Sequence, residues 1–282
     1  MKKVAVLGPA GTNGHEAACR FFDGITIDDI LFCSRNEDIF EMVLSGESEQ
    51  GVVPIRNSST GLIDDAKRFW IKESSASAGI YPVMELSLPI RHCLLVHPAS
   101  SDVERIEKVL SHPEALKQCD LAIKRKKIGE TVAALSTADA SRIVSDDGGQ
   151  NSLAAIASKF TASVYGLKVL EEDFQDNAGN ATRFHLVSTW KTMPTSGCKT
   201  AVIFWLKHEP SALVSALNII SGAGRNIHMI EPIFSGNNDN VAFYVEFDGH
   251  RLEPVTLSIL TILDHLANRL VVLGSYSELL YL

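Results

Sequence analysis

The chain has few cysteines, little positive charge and no long apolar run. Its 282 residues include five cysteines (Cys19, Cys33, Cys93, Cys119, Cys198), widely spaced and without a C-x-x-C pair. That pattern argues for reduced thiols in a cytosol and against a disulfide framework or a zinc site. No stretch approaches the roughly 20 consecutive apolar residues that a membrane span requires. The first apolar segment, Val4 to Leu7, stops at Gly8-Pro9 and is too short for a signal peptide. A soluble cytoplasmic protein is the expectation. Lys and Arg number 26 against 34 Asp and Glu, a net charge of -8. Such a surface repels phosphate backbones and anionic lipid, so neither nucleic acid nor a membrane is expected as a partner. The one basic run, Lys124 to Lys127, has no interleaved aromatics and reads as a solvated helix end.

Several motifs are also missing. A dinucleotide fingerprint starting at Gly8 would need glycines where Ala10 and Asn13 stand, and no Walker-type phosphate loop occurs. The nine histidines include no H-x-x-x-H pair, and His92 and His97, five apart on a strand-like stretch, point to opposite faces. Ser188 to Lys191 matches S-x-x-K only inside a polar stretch, and G-x-S-x-G is absent. The acidic clusters Asp64-Asp65 and Glu171 to Asp173 read as solvated faces. No metal and no cofactor is expected.

What is present is ordinary for a folded protein, 45% hydrophobic and 21% charged, long enough for one large or two modest domains. Val4 to Leu7 reads as a buried strand, followed by a turn and a helix through Phe22. Gly51 to Ile55 reads as a second strand, followed by polar Asn57 to Gly61 and a helix from Leu62 to Trp70. Met84 to Val96 reads as strands around Pro89. A helix is expected from Ser111 through Cys119, a long Ala-rich amphipathic helix over Asn151 to Tyr165, and a strand over Phe184 to Val187. This alternation predicts an α/β domain with a largely parallel sheet. Ser188 to Cys198 reads as a linker. Beyond it, strand Ala201 to Leu206, helix Pro210 to Ile220, strands Ile227 to Phe234 and Val241 to Phe247 joined at Gly236 to Asn240, helix Pro254 to Leu266 and strand Leu270 to Leu273 give a ferredoxin-like βαββαβ order.

The polar residues of interest sit at strand-to-helix junctions, where open α/β sheets bind ligands and helix N–H groups favour anions. Thr12, Asn57, Ser58, Ser59, Thr60 and Ser111 fall there. Each also has a purely structural explanation: Ser111-x-x-Glu114 is a capping box, and Asn57 with the serines suits a turn and an N-cap. Gln118, nearly two helical turns after Ser111, shares its face or is an exposed glutamine. Arg183, leading into a strand beside Thr182, either meets a carboxylate bidentately or is an ordinary loop arginine.

Four ordered segments resemble prephenate dehydratases: Gly8-Pro9-Ala10-Gly11-Thr12, Val53-Pro54-Ile55-Arg56-Asn57-Ser58, Ser111 through Cys119, and Asn180-Ala181-Thr182-Arg183-Phe184. The resemblance covers residues 1–190, and residues 199–282 resemble an ACT regulatory domain. It implies a two-lobed catalytic domain similar to type II periplasmic binding proteins, its second lobe spanning roughly residues 88–167. The implied reaction converts prephenate to phenylpyruvate, carbon dioxide and water on the route to phenylalanine. The implied catalytic residues are Thr182, Ser111, Gln118 and Asn57, with Arg183, Phe184, Thr12 and Ser58 binding substrate. Ser211, Ala212, Leu213, Val214, Asn226 and Glu231 are implied for phenylalanine feedback at an interface of a homodimer or homotetramer formed through the ACT domain.

The sequence departs from the family at several of these places. Arg56 replaces the usual glutamate, and Asn13 the usual phenylalanine. Ser211-Ala212-Leu213-Val214 stands for Gly-Ala-Leu-Val, and Glu231-Pro232-Ile233-Phe234 for Glu-Ser-Arg-Pro. Alternatives on the same fold are a prephenate decarboxylase, an arogenate dehydratase, and a non-catalytic protein that senses a small carboxylate.

Overall fold

The computed structural model describes residues 3–63, 79–100, 106–234 and 241–279. Strand β1 (Val4–Leu7) is apolar and almost wholly buried, and pairs in parallel with β2 (Ile30–Cys33) and β3 (Gln50–Asn57). Helix α1 (Asn13–Phe21) starts where the Thr12 hydroxyl accepts from the His15 N–H, and it buries Ala17 and Ala18. Helix α2 (Asn36–Ser45) lies close on β3: a Cβ at Gly51 would meet Ile39 Cγ2 at 2.5 Å, so only glycine fits there. The expected helix from Leu62 to Trp70 falls mostly outside the described residues. Its first residue belongs instead to β4 (Gly61–Leu62), a short strand paired with β3.

Two long strands run antiparallel in the middle of this sheet: β5 (Tyr81–Pro89) and β11 (Ala181–Ser188), with β11 between β5 and β3. The sheet is therefore mixed and not largely parallel as the alternation predicted. Between β5 and β11 the chain builds a second lobe, consisting of β6 (Cys93–Val96), β7 (Lys108–Ser111), α3 (Pro113–Gln118), α4 (Asp120–Arg125), β8 (Glu130–Ala133), α5 (Thr137–Asp146), β9 (Leu153–Ala157), α6 (Lys159–Tyr165) and β10 (Lys168–Glu171). Its sheet has the order β10-β6-β9-β7-β8, again mixed, and extends to Glu171, beyond the expected limit near 167. Apolar clusters cover both of its faces.

Asn151 to Tyr165 is not one helix. Ala154 to Ala157 are fully buried in β9, and Ser158 accepts from the Thr161 N–H to start α6. Central strands covered on both faces read as continuous apolar runs, and here that run is alanine-rich. Burial on both sides of the sheet has overridden alanine's helix propensity.

The C-terminal unit has the expected βαββαβ order: β12 (Lys199–Trp205), α7 (Ala212–Gly222), β13 (Ile227–Phe234), β14 (Val241–Asp248), α8 (Pro254–Leu266) and β15 (Arg269–Glu278). Residues 235–240, the expected hairpin loop, lie outside the described set. The strands order as β13-β14-β12-β15, all antiparallel, with both helices on one face over Val202, Phe204, Val245 and Phe247. The other face packs on the first lobe, so that Ile203, Met229, Tyr244 and Tyr276 share one core with Ile55 and Leu62. Each fully buried large apolar side chain there stabilises by about 1.5–3 kcal/mol. β15 also runs past the expected end at Leu273 and pairs in parallel with β5 through Ser277 and Glu278. One ten-stranded sheet consequently crosses from the C-terminal unit into the first lobe. Among the described residues no helix is long and apolar enough to cross a membrane, and all five cysteines are free thiols.

Candidate active site

A cavity of about 280 Å³ opens between the two lobes. From the first lobe come Leu7 and Thr12 at the β1–α1 junction, Asn57 at the end of β3, and Thr182 and Phe184 on β11. The second lobe contributes His92, just before β6, together with His112, Gln118, Ser136 and Thr137. Of the residues expected at the site, Thr182, Asn57, Gln118, Thr12 and Phe184 all line this cavity.

The hydrogen bonds between them have a definite direction. Asn57 Nδ2 donates to Thr182 Oγ1 at 3.0 Å and to Asn180 Oδ1 at 2.9 Å. Both amide hydrogens are then committed, and the threonine oxygen is an acceptor, so the Thr182 O–H is left to donate into the cavity. Gln118 Oε1 lies 2.9 Å from His92 Nε2 and accepts from Asn180 Nδ2 at 3.3 Å. With its oxygen occupied, Gln118 presents its NH2 group to the cavity. Burial lowers the His92 pKa, while the Gln118 hydrogen bond partly opposes the shift, and the ring is neutral near pH 7.

Helix N-termini complete the polarity of the site. Asn13 and Gly14 of α1 and Ser136 and Thr137 at the start of α5 line the cavity, and helix N-termini favour anions. Ser136 itself caps α5 by accepting from the Asp139 N–H at 2.9 Å. Thr12 is similarly occupied, donating to Leu7 O at 2.9 Å. Among the described residues no lysine or arginine lines the cavity. Apart from the Glu114 carboxylate, the polar side chains described in the lining are neutral, so an anion held here would rest on hydrogen-bond donors and helix ends without a full counter-charge.

Three expected site residues are placed differently. Ser111 is fully buried and donates to Ile156 O at 2.6 Å, stitching β7 to β9 without lining the cavity. Nor does it cap the following helix: His112 does, its Nδ1 accepting from the Glu114 N–H at 3.3 Å. Ser58, exposed, accepts from the Ala181 N–H at 3.0 Å and donates to Asn180 Oδ1 at 3.1 Å, fastening the β3 turn to the start of β11.

Arg183 faces away from the cavity altogether, because successive strand residues point to opposite faces. Its guanidinium reaches Glu246 Oε2 of β14 at 2.7 Å and the Glu85 carboxylate of β5. Lys199 holds the other Glu85 oxygen at 2.9 Å, and Tyr244 donates to Glu246 at 2.6 Å. Burial pushes the Glu85 carboxyl up, but His185, Arg183 and Lys199 together outweigh it and keep it well below the usual carboxylate range. Arg183 therefore bridges the first lobe to the C-terminal unit, outside the cavity where the resemblance implied that it binds substrate. Arg56, its cross-strand neighbour, is likewise absent from the cavity lining.

The expected effector residues form two groups within one chain. Ser211 to Val214 open α7, where Val214 is 58% exposed, and Asn226 donates its N–H to Asp248. Glu231 lies on the opposite face, against the turn that follows Asn57: a Cβ at Gly61 would meet its Oε1 at 3.1 Å.

The sequence reading missed His92, Asn180, His112 and the start of α5. Asn180 had a signal, since it precedes Thr182 by two residues and so shares its face of the extended chain. The others are brought to the cavity only by tertiary packing.

Comparison with known proteins finds relatives over most of the chain. The prephenate dehydratase family model matches residues 4–192. A bifunctional chorismate mutase/prephenate dehydratase of Aquifex aeolicus is 33% identical over 280 residues, spanning 99% of this chain and 74% of that protein. The solved structure of prephenate dehydratase from Arthrobacter aurescens in complex with L-Phe superposes with a TM-score of 0.83 at 28% identity, covering 98% of this chain and 89% of that one. A structure described as GqqA, a novel type of quorum-quenching acylase, gives 0.85 at 26% identity, covering 99% and 98%. A family match across two thirds of the sequence, joined to a relative aligned over nearly all of it, places the chain in the prephenate dehydratase family.

Proposed function

We propose that the cavity between the lobes converts prephenate to phenylpyruvate, with Thr182 as the catalytic hydroxyl. The carrying observation is the Asn57 amide that donates to Thr182 Oγ1 and so leaves the threonine O–H to donate to a substrate. As the bond between the ring and its carboxylate breaks, the electron pair moves through the diene and expels the ring hydroxyl. The carboxylate departs as carbon dioxide, and the hydroxyl takes up a proton to leave as water. Aromatisation supplies the driving force, so the protein has only to orient the dianion and stabilise the departing oxygen. Thr182 donates to that oxygen, and Gln118 Nε2 and the N-termini of α1 and α5 hold the carboxylates.

The C-terminal unit is read as an ACT domain that binds phenylalanine and pairs with a second copy. Exposed apolar side chains on it (Val214, Ile230, Leu257 and Ile262) supply a surface for that pairing. The odd, widely spaced set of cysteines and the biosynthetic reaction support a cytoplasmic protein. Incubating the purified protein with prephenate and identifying the products tests the reading. Phenylpyruvate with carbon dioxide is expected. A non-aromatic decarboxylated acid would make it a decarboxylase, and unchanged prephenate a binding protein.

A further inference from the structure

We propose that His92 and Asn180 are positioning residues that fix the polarity of the site, each acting through a side-chain amide. The proposal rests on the dehydratase reading for its kinetic consequences but not for its geometry. A primary amide can turn end for end at little steric cost, which exchanges a donor for an acceptor. Gln118 turned over would face an anionic substrate with its carbonyl oxygen. Asn57 turned over would take Thr182's proton as an acceptor and leave no donor for the departing hydroxyl.

The structure supplies a restraint against each reversal. His92 is 6% exposed, and its position is fixed by main-chain bonds: its N–H donates to Gln175 Oε1 at 2.8 Å, and its carbonyl accepts from the Phe174 N–H at 2.7 Å. Its Nε2, 2.9 Å from Gln118 Oε1, acts as a donor to that oxygen. Asn180 supplies the second donor to the same atom, from Nδ2 at 3.3 Å. At its other end Asn180 Oδ1 accepts from Asn57 Nδ2, Ser58 Oγ and Ser59 Oγ at 2.9, 3.1 and 3.4 Å. Asn57 Oδ1 accepts from the Ser59 N–H at 2.9 Å, which turns Asn57 Nδ2 toward Asn180 and so sets the Asn180 oxygen against the β3 turn. The chain of bonds then runs from His92 to Gln118 in the second lobe, through Asn180, to Asn57 and Thr182 in the first. The donors this chain leaves for the cavity are the Gln118 NH2 group and the Thr182 O–H.

Steady-state kinetics on prephenate test the assignment, using His92→Phe, His92→Gln, Gln118→Ala, Asn180→Ala and the double variant His92→Phe/Gln118→Ala. Losing one neutral hydrogen bond corresponds to a roughly tenfold fall in kcat for His92→Phe. His92→Gln, whose Nε2 can reach the place of the imidazole Nε2, should recover most of it. If His92 works only through Gln118, the double variant should be no slower than Gln118→Ala alone. Asn180→Ala should lower kcat more than it raises KM. Full kcat in His92→Phe, or losses that multiply in the double variant, would overturn the proposal.

A second readout does not depend on turnover. The 15N spectrum of labelled wild-type protein, with His92 assigned by its disappearance in His92→Gln, should show a neutral ring protonated on Nε2. A ring protonated only on Nδ1 would reverse the relay and end the proposal even in an active enzyme. If wild type yields no phenylpyruvate, the dehydratase reading fails and this spectrum alone decides the positioning claim.

Discussion

Thr182 and Arg183 are neighbours in sequence, yet their side chains leave β11 on opposite sides. Thr182 Oγ1 receives Asn57 Nδ2 in the cavity, while the Arg183 guanidinium meets Glu246 of the C-terminal unit behind it. One strand thus carries both the hydroxyl proposed to react and the link between domains. The two residues should consequently fail in different ways when altered.

Replacing Thr182 by valine keeps the shape and removes the hydroxyl. Positioned proton donation is worth about 10²–10⁴-fold in rate. Thr182→Val should lose that much kcat with little change in KM, and Thr182→Ser should retain a substantial part. Stopped assays of phenylpyruvate formation check this, and full activity in Thr182→Val would remove the proton-donor role.

Arg183 should report in stability. Removing one partner of a buried ion pair leaves the other charge uncompensated, at a cost of about 3–5 kcal/mol. Arg183→Met strands Glu246, which is fully buried, and should unfold at correspondingly lower urea. Arg183→Met/Glu246→Leu should recover part of the loss, because a well-packed apolar pair needs no counter-charge. KM for prephenate at a temperature where each variant is folded should stay near wild type. A large rise in KM would return Arg183 to carboxylate binding.

Several features of this arrangement were legible in the sequence. The four segments of the resemblance supplied Asn57, Gln118 and Thr182, which converge from β3, α3 and β11. The βαββαβ order was legible because the pattern of apolar runs and Gly-rich stops is regular from Lys199 onward. The failures have definite causes. The alanines of β9 carried helix propensity into a position decided by burial. Arg183 was placed with Thr182 because they are adjacent in sequence, although a strand's period of two separates them. Glu85 and Glu246, which hold it, lie 98 and 63 residues away in sequence, beyond any local pattern.

Acid should weaken the fold in a way set by its buried histidines. Burial lowers the pKa of both His15 and His92 below the ordinary value of 6.5. His15 is further committed to a neutral ring by the Gly11 N–H, which donates to its Nδ1 at 3.0 Å. The unfolded chain then binds more protons than the folded one below 6.5. This contribution to stability is complete above 6.5 and is lost as pH falls through the folded-state values. Glu85, held low, adds a loss of the same sign that begins only below its ordinary 4.5. Glu16 pulls the other way near that pH, since burial raises its carboxyl despite Arg20, so the histidine window is the one to read. Urea midpoints from pH 7.5 down to 5 should decline, with a shallower decline in His92→Gln.

The first turn of α7 offers a test of the departure at Ser211. Its φ is +68°, the left-handed region that β-carbon sterics disfavour. Ser211 makes no side-chain capping bond there in return. A glycine would adopt this backbone conformation without that cost. Ser211→Gly relieves the steric cost of about 1 kcal/mol, although glycine's greater freedom in the unfolded chain offsets part of it. The expected result is a small rise in melting temperature without phenylalanine. If the serine side chain also narrows an effector site at this helix start, the same variant should show a larger phenylalanine-induced rise in melting temperature than wild type. An equal phenylalanine response in both proteins would confine the effect of Ser211 to the backbone of α7.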